Sequence, residues 1–147
     1  MKKRVLVLLI VLLEGTTLLG QSSKQEVKNA ILSLFEGMAN ADTIAISKQL
    51  HPDVRLWTSV LDESGLPAIE QGNVQAWLEG VANAPKGSLD EQLLEIDIRI
   101  DADRLASAWT PYLFYYNEAL SHCGSNSFQL AKVGEEWLIT SIIDSRR

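Results

Sequence analysis

The stretch from Leu105 to Asp144 restricts the folds open to this chain more than any other segment. It reads LASAWTPYLFYYNEALSHCGSNSFQLAKVGEEWLITSIID, three long runs rich in aromatic and β-branched residues, parted by turn signals at Glu118–Ser121 and Gly134-Glu135. Long runs of this kind joined by short turns pair as an antiparallel meander. Just upstream, Leu94, Ile96, Ile98 and Ile100 alternate with Glu95, Asp97, Arg99 and Asp101. A period of two predicts one further strand from Leu93, with one buried side and one wet or partner-facing side. Asp101-Ala-Asp103 turns that strand into the meander.

The N-terminal half has helical spacing instead. Ser22 and Ser23 each stand three residues before Gln25 or Glu26, which makes two overlapping capping boxes. Val27, Ala30, Ile31, Leu34, Phe35 and Met38 then recur on one helical face, so the spacing predicts a helix over about 24–39. Asp42 caps a shorter helix through Ile46 and Leu50, which Pro52 ends. Val54–Thr58 alternates as a short strand, Asp62–Gly65 turns, and Leu66–Gln71 returns as an edge strand because Pro67 cannot donate to a ladder. Asn73 caps a third helix that carries Val74, Trp77, Leu78 and Val81 on one face and breaks at Ala84-Pro85. Helices followed by a meander make an α+β plan, three N-terminal helices covering one face of a strongly curved antiparallel sheet.

The first twenty residues have a different composition. Lys2-Lys3-Arg4 is basic, Val5–Leu13 is an unbroken apolar run, and Gly15–Gly20 is small and weakly polar. This is the pattern of a signal peptide, too short in its apolar run to span a bilayer of roughly 30 Å. The expected division is a leader over 1–20 and one domain over 21–147, exported to the periplasm or beyond, with no stable membrane insertion after cleavage. Removal of the leader takes away three basic residues and Glu14 and moves the formal charge from −6 to −8. An acidic domain without a basic run is a poor nucleic-acid binder. Cys123 is the only cysteine, so no intrachain disulfide staples the fold.

Pairing the strands through their turns sorts the side chains by face. Ile98 falls opposite Ala106, Tyr112 near Asn126, and Phe128 near Ser141. Tyr112, Tyr116, His122 and Asn126 then point into the core face, while Trp109, Leu113, Tyr115, Cys123 and Asp144 point outward. An outer face this apolar is expected to meet a second copy of the chain in a homodimer. A single bulge would exchange part of this assignment.

The segments Ala108-Trp-Thr-Pro-Tyr112, Ser121-His-Cys-Gly124, Phe128-Gln-Leu-Ala-Lys132 and Glu136-Trp-Leu-Ile139, ending in Asp144-Ser-Arg146 behind a capped helix, resemble the nuclear transport factor 2-like (NTF2-like) superfamily. The nearest resemblance is to its exported bacterial SnoaL-like and lumazine-binding members, and it spans about residues 24–146. It implies a cone-shaped, cystatin-like fold, a bent sheet wrapped around the first helix with a pocket at the open end. Relatives of this shape include isomerases, dehydratases and cyclases as well as proteins that only bind partners or ligands.

Within that expected pocket, Arg55, Trp57, Tyr112, Tyr116, His122 and Asn126 are the candidate ligand-binding residues. The ligand expected there is a small, partly apolar molecule. His122 can serve as a general acid or base, or simply satisfy a strand end. Asp144 becomes a second catalytic candidate if a bulge turns it inward, and otherwise pairs with Arg146 or Arg147 at the surface. His51, before Pro52, is expected to cap a helix C-terminus. Two histidines without clustered carboxylates predict no metal site, and no glycine-rich phosphate loop points to a cofactor.

Overall fold

The computed structural model describes residues 6–147, with side chains described from residue 22 onward. Three helices, α1 (Leu6–Ala39), α2 (Thr43–Gln49) and α3 (Val74–Asn83), accompany seven strands. These are β1 (Leu50–Leu61), β2 (Pro67–Gly72), β3 (Leu89–Leu93), β4 (Asp97–Asp101), β5 (Leu105–Tyr116), β6 (Ala119–Val133) and β7 (Glu136–Arg146). The basic segment of the expected leader lies outside the described residues. Among the described residues no helix is long and apolar enough to cross a membrane.

The helix start near Ser22 is expected of the chain after cleavage; in the full chain α1 runs through both serines without a break. A helix interior offers no free N–H for a serine to cap. Ser22 Oγ donates instead to Glu26 one turn on, at 3.1 Å, and Ser23 Oγ donates to Asp103 in the β4–β5 turn. The expected caps of the other two helices form. Asp42 accepts from Ala45 N and Asn73 from Ala76 N, each at 2.9 Å. α2 stops at Gln49, so Leu50 already opens β1 and Pro52 sits in an irregular first turn of that strand. His51 caps no helix; its Nδ1 accepts from Asp53 N at 3.1 Å.

The α+β plan holds, and the sheet is mixed rather than wholly antiparallel. Its order is β2-β1-β7-β6-β5-β3, with β4 also on β5, and β1 and β7 run parallel. α1 lays Val27, Ala30, Ile31, Leu34 and Met38 on the inner face of the sheet, over the buried Ala106, Ala108, Phe128, Leu130 and Ile139. Phe35 meets Phe128 edge to face at 6.0 Å. Each large side chain buried here contributes roughly 1.5–3 kcal/mol of transfer free energy, which makes this end the anchor of the fold.

The strand expected from Leu93 through Asp101 is two strands. β3 keeps one register with β5 (Leu93 opposite Tyr112), and β4 keeps another (Asp97 opposite Trp109). Pro111 faces the break. It has no N–H to offer a neighbour, and only its carbonyl is used, accepting from Leu94 N at 2.9 Å.

The pairings also differ from those expected. Ile98 opposes Ala108 and Tyr112 opposes Gly124, each two residues from the expected partner. A slip of two leaves Ile98, Tyr112, His122 and Asn126 on their expected face; Ser121 is an extra residue in β6 between the Phe114–His122 and Tyr115–Leu120 pairs. The β6–β7 pair is different. Leu130 opposes Ile139, but Gln129 opposes Ser141, so Thr140 is an extra residue in β7. That bulge reverses the facing of everything after it. Trp137 and Ile139 point into the core, then Ile142, Asp144 and Arg146 point inward in place of Ser141 and Ile143.

Candidate functional site

The inner face divides into cross-strand rows. At the closed end, Ile98, Ala108, Phe128, Ile142 and Leu56 make an apolar row. The next row toward the open end is polar, with Thr110, Asn126, Asp144 and Thr58 side by side. Beyond it lie Tyr112 and Arg146 on either side of Gly124, and last Glu91, Phe114 and His122. α1 and α3 roof these polar rows with Met38 and Trp77.

Two adjoining cavities open there. One, of about 230 Å³, runs between α1, β1 and β6 past Leu34, Phe35, Leu56 and Phe128. The other, of about 380 Å³, runs between α3, β3 and β5 past Val81, Leu89, Tyr112, Phe114 and His122. Met38, Trp77, Glu91, Asp144 and Arg146 line both, so the two form one cleft with its charged groups at the waist.

Glu91 is the carboxyl in this cleft whose chemistry is most altered. Asn126 Nδ2 donates to its Oε1 at 2.7 Å. Burial pushes the Glu91 carboxyl up to about 7; the Asn126 hydrogen bond works against that rise, the Asp144 charge adds to it, and Arg146 opposes it. A carboxyl with this value holds and releases its proton near neutrality, as a general acid or base requires. Asp144, on the strand beside Asn126, is ion-paired through Oδ2 with Arg146 Nε at 2.9 Å. The outward placement expected for Asp144 is therefore corrected, and the Thr140 bulge is the cause.

Tyr112 is buried, and its hydroxyl reaches the Ser145 carbonyl at 3.4 Å. Burial first, then the charges of Glu91 and Asp144, raise its hydroxyl above the ordinary tyrosine value. Gly124 makes this pose possible. A Cβ there would collide with the Ser145 carbonyl oxygen and stand 2.6 Å from the Tyr112 hydroxyl. His122 packs against Phe114 at 4.9 Å and across the edge of Tyr112 at 5.8 Å, with Nδ1 3.2 Å from Ser121 Oγ. Burial, then Arg146, lowers its pKa, against the pull of Asp144, so the ring is neutral at pH 7.

Of the residues expected from sequence, Tyr112, His122, Asn126 and Asp144 come together in this cleft. Arg55 and Trp57 do not: their register with Ser141 and Ile143 places them on the outer face. Tyr116 sits beside the Asn117–Glu118 turn, about half exposed, and lines neither cavity. Glu91 and Trp77 were not expected there. The available signal for Glu91 was the spacing Leu89, Glu91, Leu93, a carboxylate in the apolar phase of a strand.

The sequence matches no family model and no curated protein. Solved structures do match the fold. An NTF2-like protein with a cystatin-like fold from Novosphingobium aromaticivorans superposes with a TM-score of 0.68 at 11% identity, over 90% of this chain and 86% of that one. A candidate dehydratase of the NTF2-like family from Streptomyces avermitilis gives 0.68 at 12% identity, over 87% and 98%. The association domain of CaMKII from C. elegans gives 0.66 at 12% identity, over 85% and 96%. The chain has the NTF2-like, cystatin-like fold.

Proposed function

We propose that the chain binds a small, partly apolar molecule in the cleft and moves a proton on it, in an isomerase- or dehydratase-type reaction. The observation that carries this reading is the pairing of two unlike carboxyls at one waist: Glu91, buried and raised to about 7, and Asp144, ion-paired with Arg146. Two carboxyls held in such different environments divide into acid and base. Asp144 takes a proton from the carbon next to a ligand carbonyl while Glu91 gives its proton to the carbonyl oxygen. The product is an enol with Asp144 protonated and Glu91 ionised. Asp144 then gives its proton to another carbon while Glu91 takes back the enol proton, which completes an isomerisation; alternatively a β-hydroxyl leaves as water with the Asp144 proton while Glu91 takes back the enol proton and the carbonyl re-forms, which completes a dehydration. The neutral His122 ring and Tyr112 shape the pocket beside these groups. The candidate dehydratase among the structural neighbours is consistent with this chemistry, as a likeness of fold.

The test is hydrogen–deuterium exchange at the α-carbon of simple ketones in D2O, followed by proton NMR. The chain is expected to accelerate exchange, and Asp144→Asn and Glu91→Gln are each expected to remove most of that acceleration, about 100-fold or more. Exchange no faster than in buffer leaves binding without chemistry.

Two companion proposals concern context. Trp57, Ile143 and Trp109 fall on one outer cross-strand row, with Trp109 51% and Ile143 39% exposed, which supports a homodimer through that face, as does the likeness to an association domain. Sedimentation of the wild type against Trp109→Glu checks it. The basic, apolar and small-residue order of 1–20 supports export of the domain over 21–147, and N-terminal sequencing of secreted protein checks that.

A further inference from the structure

The cleft has a shape and a charge balance that together select a class of occupant, and the inference drawn from them rests on the proton-transfer reading above. Its two chambers, of about 230 and 380 Å³, share the waist residues as lining, and away from the waist their walls are mostly apolar. Leu34, Phe35 and Leu56 wall the first, and Val81, Leu89 and Phe114 the second. A compact ligand would fill one chamber and leave the other wet or empty, at a loss of apolar contact.

The waist is balanced in charge. Arg146 is paired with Asp144 at 2.9 Å, and Asn126 already donates to Glu91 at 2.7 Å. The other titratable groups facing Glu91 are the Tyr112 hydroxyl and the His122 ring, both neutral near pH 7. An anion brought to this waist would face Asp144, with Arg146 already paired to it. A cation would face Arg146. In a partly desolvated site an uncompensated charge of either sign is costly, whereas a neutral oxygen can accept the proton side of Glu91.

We propose that the occupant is an elongated, uncharged molecule with an apolar group at each end and a single carbonyl or hydroxyl oxygen between them, placed at Glu91. One chamber holds each end. The geometry also supplies a length gauge: Gly80, on α3, lines the second chamber, and a Cβ there would meet nothing within 4 Å. A large side chain at this position shortens the cleft without disturbing a packed contact.

The experiment is calorimetric titration of the full chain at pH 7 with five probes. Hexanophenone carries a phenyl and a pentyl group on either side of a ketone, while acetophenone and 2-heptanone each lack one end. 2-Phenylheptanoate and 1-phenylhexylamine place an anion or a cation at the centre of the same skeleton. Hexanophenone is expected to bind at least about tenfold tighter than each of the other four. In Gly80→Trp the advantage over the truncated ketone whose missing end belongs in the second chamber is expected to disappear, with affinity for that shorter ketone kept. Equal affinity for a truncated ketone, tighter binding of either ion, or no saturation by any probe overturns the proposal. Carbon NMR titration of Glu91 and the exchange assay above report on proton transfer independently. A failed ligand class with intact exchange therefore differs from a failure of the proton-transfer reading itself.

Discussion

The closed and open ends of the inner sheet face are built from the same strands and yet do opposite things. At the closed end, Leu130 and Ile139 are fully buried beneath Ile31 and Leu34, and the helix fills the concavity. A short distance along β6 and β7, Asn126, Asp144 and Arg146 face a cleft that the helix does not fill. The difference lies in what each end does with an imperfection. The Thr140 bulge lies beside the buried Leu130–Ile139 pair and takes effect farther along β7, where it turns Asp144 and Arg146 inward, while the open end holds the Pro111 break and the missing side chain of Gly124. Close packing supplies stability, and irregular backbone places polar groups where packing alone would not put them.

The largest effect expected from breaking this contrast is at the closed end. Leu130→Ala should lower the unfolding free energy by about 3–4 kcal/mol in urea titration, because the site is fully enclosed and cannot collapse. Next comes Gly124→Ala, which forces Tyr112 or the β7 backbone to move and should cost about 2–3 kcal/mol. Ring-proton shifts of Tyr112 and His122 should change with it. An unchanged aromatic spectrum would mean that Gly124 does not place Tyr112.

Glu91→Gln should move stability the other way. The folded-state value of Glu91, about 7, lies above its ordinary value of 4.5, so the folded state holds the proton more tightly between those two pH values. The stability associated with that group is complete below about 4.5 and is lost as pH rises through 7, a cost of up to about 3 kcal/mol by linkage. The amide substitution removes that cost. It is expected to stabilise the chain at pH 8 by about 2 kcal/mol, leave it little changed at pH 4, and flatten the profile between. Thermal melts across pH 4–8 that run parallel for the two proteins would dispose of the raised Glu91 pKa. The smallest effect belongs to Ile142→Ala, about 1 kcal/mol. Ile142 already borders the first chamber, and its loss enlarges an existing space rather than opening a sealed one. A cost equal to that at Leu130 would show that this chamber wall is packed as tightly as the closed end.

These differences also explain which features could be seen in the sequence. Helical spacing in Val27–Met38 and alternation in the meander follow directly from burial on one side, so the α+β plan and the inward facing of Tyr112, His122 and Asn126 were legible. Register slips of two in the β4–β5 and β5–β6 pairs did no harm, since they preserve facing. The one-residue bulge at Thr140 could be anticipated in kind but not in place: Leu138-Ile-Thr-Ser-Ile142 is compatible with regular pairing throughout. Glu91 was hidden for a related reason. It belongs to a strand separated from β4 by a register change that depends on Pro111, some twenty residues away in sequence. The capping boxes at Ser22 and Ser23 belong to the start expected after cleavage; in the full chain α1 continues upstream of them, and capping signals act only where a helix ends.

The break opposite Pro111 bears on how the molecule behaves in a crowded solution. A long, straight outer strand presents a continuous row of unpaired amides and carbonyls on which another chain can add itself. On this side of the sheet the margin consists instead of β3 and β4, five residues each and out of step by one. An incoming strand aligned with one would lose its partners on reaching the other. The proline that offsets these strands also leaves this margin of the sheet without a long continuous template on which another chain could build.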